Sequence, residues 1–194
     1  MKKSIKQLAL AAFVLLAGSG MTANAQLLSE KPHVHFGVRA GLSVSSWSGE
    51  GMKALAFPTG GLAVDFKVAP IPLYLETGAY FINKGYKYRR SYDADTYETK
   101  HVLGGEIPVV ASYHYYFTDD MAIQPFFGGF VSFQDDGYDN VDAGLRFGTG
   151  FNYRRLYANV GYDLGLKNMN GDSDYSCKSG FFFVTIGYNF VGSK

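Results

Sequence analysis

Alternation constrains this chain more than any other feature. From Val34 to Ser45 each even position is apolar: Val34, Phe36, Val38, Ala40, Leu42 and Val44. Between them stand His35, Gly37, Arg39, Gly41, Ser43 and Ser45. A period of two is a β-strand with one apolar and one polar face. The same alternation recurs to the end of the chain, with Gly abundant and no helix-period stretch. A strand apolar outside and polar inside, repeated until the sheet closes, can cross a membrane without leaving backbone groups unpaired.

The first residues read as a secretory signal. Lys2, Lys3 and Lys6 make a basic start, Leu8 to Ala17 is apolar, and Ala23-Asn24-Ala25 fits a signal-peptidase site. The apolar stretch is shorter than the roughly 20 residues of a spanning helix. The expected division is a signal peptide over 1–25 and one domain over 26–194. Removing three lysines from 18 basic residues leaves 15 against 17 acidic, a net charge of −2. Near-neutrality argues against a nucleic-acid partner. Cys177 is the single cysteine, so no intrachain disulfide forms, and it falls in a loop as an incidental thiol.

Eight strands are expected, at about 34–46, 57–68, 73–84, 101–116, 122–133, 140–151, 156–167 and 180–190. The connections alternate long and short, with long ones at 47–56, 85–100, 134–139 and 168–179. Short periplasmic turns and long external loops are the arrangement of outer-membrane barrels. The fold class is therefore all-β: an eight-stranded antiparallel transmembrane up-and-down β-barrel, with both termini periplasmic. Tyr113, Tyr115, Phe117, Phe151, Tyr188 and Phe190 lie near strand ends, where aromatic girdles form.

Several motifs resemble one family. Leu73 to Gly78 running on through Asn83-Lys84-Gly85, then Glu106-Ile107-Pro108, Gly144 to Gly150, Tyr162 to Asn168, and Gly187-Tyr188-Asn189-Phe190 occur in its order and spacing. The chain resembles the outer-membrane β-barrel proteins loosely called the porin family, including PorT-like proteins of the Bacteroidetes type. The resemblance implies a Gram-negative outer-membrane barrel, with Phe190 as the C-terminal aromatic used in membrane insertion. It implies no single activity.

The inward faces carry Arg39, Lys67, Arg146 and Lys167 against Asp65, Glu76, Glu106, Asp142 and Asp163. Charges at membrane depth must be paired or wet. An eight-stranded barrel has an interior just wide enough for side chains to fill it. Arg39, Glu76, Glu106, Asp142, Arg146 and Asp163 are therefore expected to form a network that plugs the lumen. The competing reading is a small porin passing ions or small solutes.

A lipid-modifying enzyme is the second alternative, because Ser112 and His114 share a face with Glu106. Glu106 is roughly 20 Å from Ser112 along a strand rising about 3.3 Å per residue, so a carboxylate would have to come from elsewhere. The expectation is no enzyme, no cofactor and no metal. His33 and His35 lack a third ligand, and Asp172 and Asp174 lack the spacing of a calcium loop.

The loop over 85–100 mixes charge with tyrosine and offers Tyr88, Arg89, Arg90 and Tyr92 as a contact surface. The expected role is structural or interactive. The expected partners are outer-membrane lipid and lipopolysaccharide, the barrel assembly machinery, and an unidentified envelope or secretion component. The expected state is a monomer.

Overall fold

The computed structural model describes residues 34–48, 52–89, 97–135, 140–168 and 178–191. The segment 1–25, His33, Arg90, Tyr92, Asp172, Asp174 and Cys177 lie outside them. Eight long strands are formed: β1 Val34–Trp47, β2 Leu55–Lys67, β3 Leu73–Asn83, β4 Leu103–Tyr113, β5 Met121–Gln134, β6 Val141–Tyr153, β7 Leu156–Gly165 and β8 Ser179–Val191. Each pairs antiparallel with the next, and β8 returns to pair with β1, so the sheet closes on itself. Closure removes the edges that a flat sheet would expose.

Alternation sets the facing. Leu42, Val109, Phe127, Val184 and Ile186 point outward and are exposed, Ile186 at 69 %. Arg39, Glu106, Asp142, Arg146 and Asp163 point inward and are buried. A soluble protein would not turn thirty-odd large apolar side chains outward while burying its charges; lipid is the solvent that this surface fits. Tyr113, Tyr115, Phe117, Tyr188 and Phe190 remain outward-facing toward one end of the barrel, with Tyr188 and Phe190 rings 5.5 Å apart.

The lumen departs from a purely polar filling. Ile82, Val110, Phe126, Phe181 and Phe183 form a buried cluster inside it, with Tyr80 packed against them. Phe126 and Phe183 reach across because Gly148 and Gly161 sit opposite one another on β6 and β7. A Cβ on Gly148 would lie 2.5 Å from the Phe126 ring, and one on Gly161 the same distance from Phe183. Mid-strand glycine here creates space for large inward rings.

The end bearing the termini is closed by tight connections. Val68 N donates to Leu73 O at 3.0 Å and Phe117 N to Met121 O at 3.0 Å. Between Tyr153 and Leu156 only Arg154 and Arg155 intervene. Arg154 takes φ 53°, because a two-residue hairpin that matches strand twist needs positive φ. β4 is interrupted at His114, whose amide donates to Pro72 O at 2.8 Å, and the short strand Tyr115–Tyr116 resumes the pairing with β5.

At the opposite end, described parts of two long connections pair with each other. Met52–Lys53, Tyr86–Arg89 and Tyr97–Lys100 form a three-stranded sheet. Its hairpin prolongs the β3–β4 ladder in unbroken register: Asn83 faces Leu103, Lys84 N donates to Val102 O at 2.9 Å, and Tyr86 faces Lys100. The Asn83 side chain ties this junction together, accepting from Gly85 N at 2.9 Å and Val102 N at 3.0 Å.

The facing makes a direct expectation. Val109→Arg places a charge on the outward mid-wall and should cost about 2–4 kcal/mol of folding free energy. Urea titration in phospholipid vesicles measures it, and an unchanged midpoint would contradict the outward assignment.

Candidate functional site

The inward faces of β4, β6 and β7 bring opposite charges to one level. Arg146 and Asp163 are register partners on β6 and β7. Arg146 Nε donates to Asp163 Oδ1 and Nη2 to Asp163 Oδ2, both at 2.6 Å. The paired donors of a guanidinium match the two oxygens of a carboxylate. Nη2 also contacts Glu106 Oε1 from β4, across the lumen. The guanidinium lies 4.6 Å from the centroid of the Phe183 ring.

Charge alternates onward toward the long-loop end. The other oxygen of Glu106 lies 3.4 Å from Lys84 Nζ. Lys84 donates to Asp142 Oδ2 at 3.0 Å and to Ser132 Oγ at 3.1 Å. Ser179 Oγ donates to Asp142 at 2.5 Å, and Gln134 Nε2 to Ser132 at 3.2 Å. The order Asp163, Arg146, Glu106, Lys84, Asp142 is a chain in which each charge has an opposite neighbour. Desolvated charges are tolerated only in such company.

Of the six lumen residues expected from the sequence, Glu106, Asp142, Arg146 and Asp163 meet in this chain. Among the described residues, Arg39 and Glu76 stay outside it. Arg39 donates through Nη2 to Asn189 Oδ1 at 2.8 Å and covers the Tyr157 ring at 4.1 Å. It takes that direction because Gly37 and Gly187 leave room: a Cβ on Gly187 would lie 2.4 Å from Arg39 Cδ. Glu76 is buried and lines the residual lumen space beside Glu106 and Arg146.

Of the two other cations expected inside, Lys67 keeps the inward parity, opposite buried Tyr74, and Lys167 is not inside. Lys67 is half-buried near the termini end, and Lys167 is exposed past the end of β7, donating to Val141 O at 2.9 Å. Lys84 fills the role instead, fully buried. Its signal was present: on β3 the inward residues are Tyr74, Glu76, Gly78 and Ile82, and the same even parity reaches Lys84. Strand-end position hid it, because a lysine there reads as solvated.

A second polar layer lies nearer the termini. His35 Nδ1 and Asp65 Oδ1 are 2.5 Å apart. His114 stacks on Tyr74 with centroids 3.7 Å apart, and its ring nitrogens meet Ser112 Oγ at 3.1 Å and Gln124 Nε2 at 3.3 Å. The Ser–His contact considered for a hydrolase is thus made, but Gln124 stands where a triad has a carboxylate. Ser112 is also fully buried, out of reach of a lipid ester. Among the described residues, no group of three His, Cys, Asp or Glu is placed to hold a metal ion.

A small cavity opens beside Arg146. The cavity between Thr59, Glu76, Tyr80, Arg146, Asn159 and Thr185 measures about 20 Å³, room for one water. Outside the lumen, Tyr88 donates to Glu98 at 2.7 Å and Arg89 pairs with Tyr97 in the loop sheet.

Comparison with solved structures bears on the fold. The outer membrane protein OprG from Pseudomonas aeruginosa superposes with a TM-score of 0.50 at 15 % identity, over 85 % of this chain and 99 % of that one. This chain has the eight-stranded barrel fold of outer-membrane proteins. Neisserial surface protein A (TM-score 0.47, 15 % identity, 80 % and 97 % covered) is also similar. So is Ail of Yersinia pestis (TM-score 0.42, 12 % identity, 81 % and 99 % covered). No family model matches the chain, and no curated protein matches it in sequence.

Breaking the charge chain at Lys84 should be expensive. Lys84→Met leaves Asp142 without its cation and Glu106 with Arg146 alone, and should cost about 3–5 kcal/mol, whereas adding Asp142→Leu should recover part of it. Trp47, whose indole donates to Lys84 O at 2.7 Å, reports the unfolding by fluorescence. Equal stability of the wild type and the single variant would contradict the pairing.

Proposed function

We propose that the chain is an integral outer-membrane barrel, a monomer of the PorT-like porin family, with a structural and interaction role and a lumen sealed by its own side chains. The signal-like start, the apolar outer wall and the order of the family motifs support the location. The short turns beside both termini favour a periplasmic placement of that end. The closing strand, with outward Phe190 in its last turn of alternation before Val191, is the element suited to recognition by the barrel assembly machinery.

The observation that carries the sealed reading is the continuous chain of paired charges from Asp163 to Asp142. A conducting pore needs a water path, and the ion pairs and the buried Phe126–Phe181–Phe183 cluster inside the barrel support the absence of one. With the lumen filled, contact with other molecules falls to the external loops, including Tyr88, Arg89, Arg90 and Tyr92, and to the lipid-facing wall. No catalytic step is assigned.

Planar-bilayer recording of the refolded protein, with Arg146→Ala alongside, tests this. The wild type should show no steady single-channel current. Stable steps in the wild type, altered by the variant, would make the protein a small porin instead.

A further inference from the structure

The loop sheet sorts its side chains by face. Residues directly opposite one another in an antiparallel sheet share a face. Tyr88, opposite Glu98 and Met52, occupies one face together with Tyr86 and Lys100. On the other, Lys53 stands directly opposite Lys87, which stands opposite Thr99, and Arg89 stands opposite Tyr97. The sheet's acidic residue, Glu98, is therefore on the first face, hydrogen-bonded to Tyr88. The second face holds three cations around one tyrosine, with Lys53 Nζ 3.7 Å from the Tyr97 ring centroid.

Two lysines directly opposite one another destabilise a sheet. An anion between them turns that repulsion into attraction. The cationic face also has a fixed direction. Register is unbroken from Leu73–Tyr113 to Arg89–Tyr97, so parity carries over from barrel to loop. Lys87, Arg89, Tyr97 and Thr99 have the parity of Phe81 and Leu103, which are outward and exposed. Beyond buried Asn83 and Gly85, the cations lie on the side that Phe81 and Leu103 mark as outward, with Lys53 and Arg89 exposed and Lys87 half-buried.

Their height follows from the ladder. Thr99 and its partner Lys87 lie beyond Leu103, roughly 13 Å along the strand at about 3.3 Å per residue. Strand tilt reduces this to roughly 10 Å above the last apolar position, the level of headgroups rather than acyl chains.

We infer that Lys53 and Lys87, with Arg89 and Tyr97 beside them, bind the phosphorylated sugar headgroup of lipopolysaccharide in the surrounding leaflet. This rests on the outer-membrane placement proposed above. The two lysines supply charge to a phosphate, and Tyr97 and Thr99 supply an aromatic ring and a hydroxyl to the sugar.

The test uses the folded full-length mature barrel in nanodiscs. Insertion is checked first, by heat-modifiable migration; failure to insert would overturn the membrane placement and is read separately from ligand binding. Inserted protein is then titrated with purified lipopolysaccharide and with the same material stripped of phosphate. Lys53→Gln with Lys87→Gln should weaken binding at least tenfold. Lys53→Arg with Lys87→Arg should keep it, and Lys100→Gln, on the opposite face of the same hairpin, should leave it unchanged. Phosphate-stripped material should bind wild type and double glutamine variant equally weakly. Full-strength binding by an inserted double glutamine variant, or by wild type to stripped material, would overturn the inference.

Discussion

A strand in lipid has nowhere to leave an unpaired amide or carbonyl. That single constraint explains why this chain closes β8 onto β1 and why its faces alternate so regularly. Once the ladder is closed, the side chains have only two destinations. One is lipid, which takes Leu42, Val109 and Ile186. The other is a narrow interior that must accept whatever lies on the opposite parity, charge included.

The interior resolves this by ordering its charges. Arg146 sits between Asp163 and Glu106, and Lys84 between Glu106 and Asp142, so neutralisation proceeds link by link toward the long-loop end. Rings fill what charges do not: Phe130 lies 4.1 Å from Lys84 Nζ, and Phe183 lies against Arg146. The same Lys84 lends its carbonyl to Trp47 and its amide to Val102, so the charge chain ends at the base of the loop sheet. Lumen and loop sheet are therefore one connected structure, and a change at Lys84 reaches both.

Period two made most of this legible in advance. Strand number, order, facing and the four-residue core of the charge chain follow from parity alone, because in a closed barrel parity decides burial. What parity missed was reach. Arg39 was expected in the network, but it turns toward Asn189 through the gap left by Gly37 and Gly187, a matter of side-chain path rather than face. Lys84 stands at a strand end, where a lysine is ordinarily solvated, and the β5, β6 and β8 residues that surround it are far away in sequence. The three-stranded loop sheet was hidden for a related reason. Its strands are two and four residues long, too short for alternation to register.

Under the proposed sealed lumen, water does not traverse the barrel. Thiol accessibility tests it most directly. In a Cys177→Ser background, single cysteines replace Ser132 and Ser112 in the lumen and Thr99 on the loop sheet, and the folded barrel is exposed to a water-soluble maleimide. The account predicts rapid labelling at position 99 and none at 112 or 132 until the barrel is unfolded. Labelling of the two lumen positions in the folded protein at the rate of the loop position would contradict it.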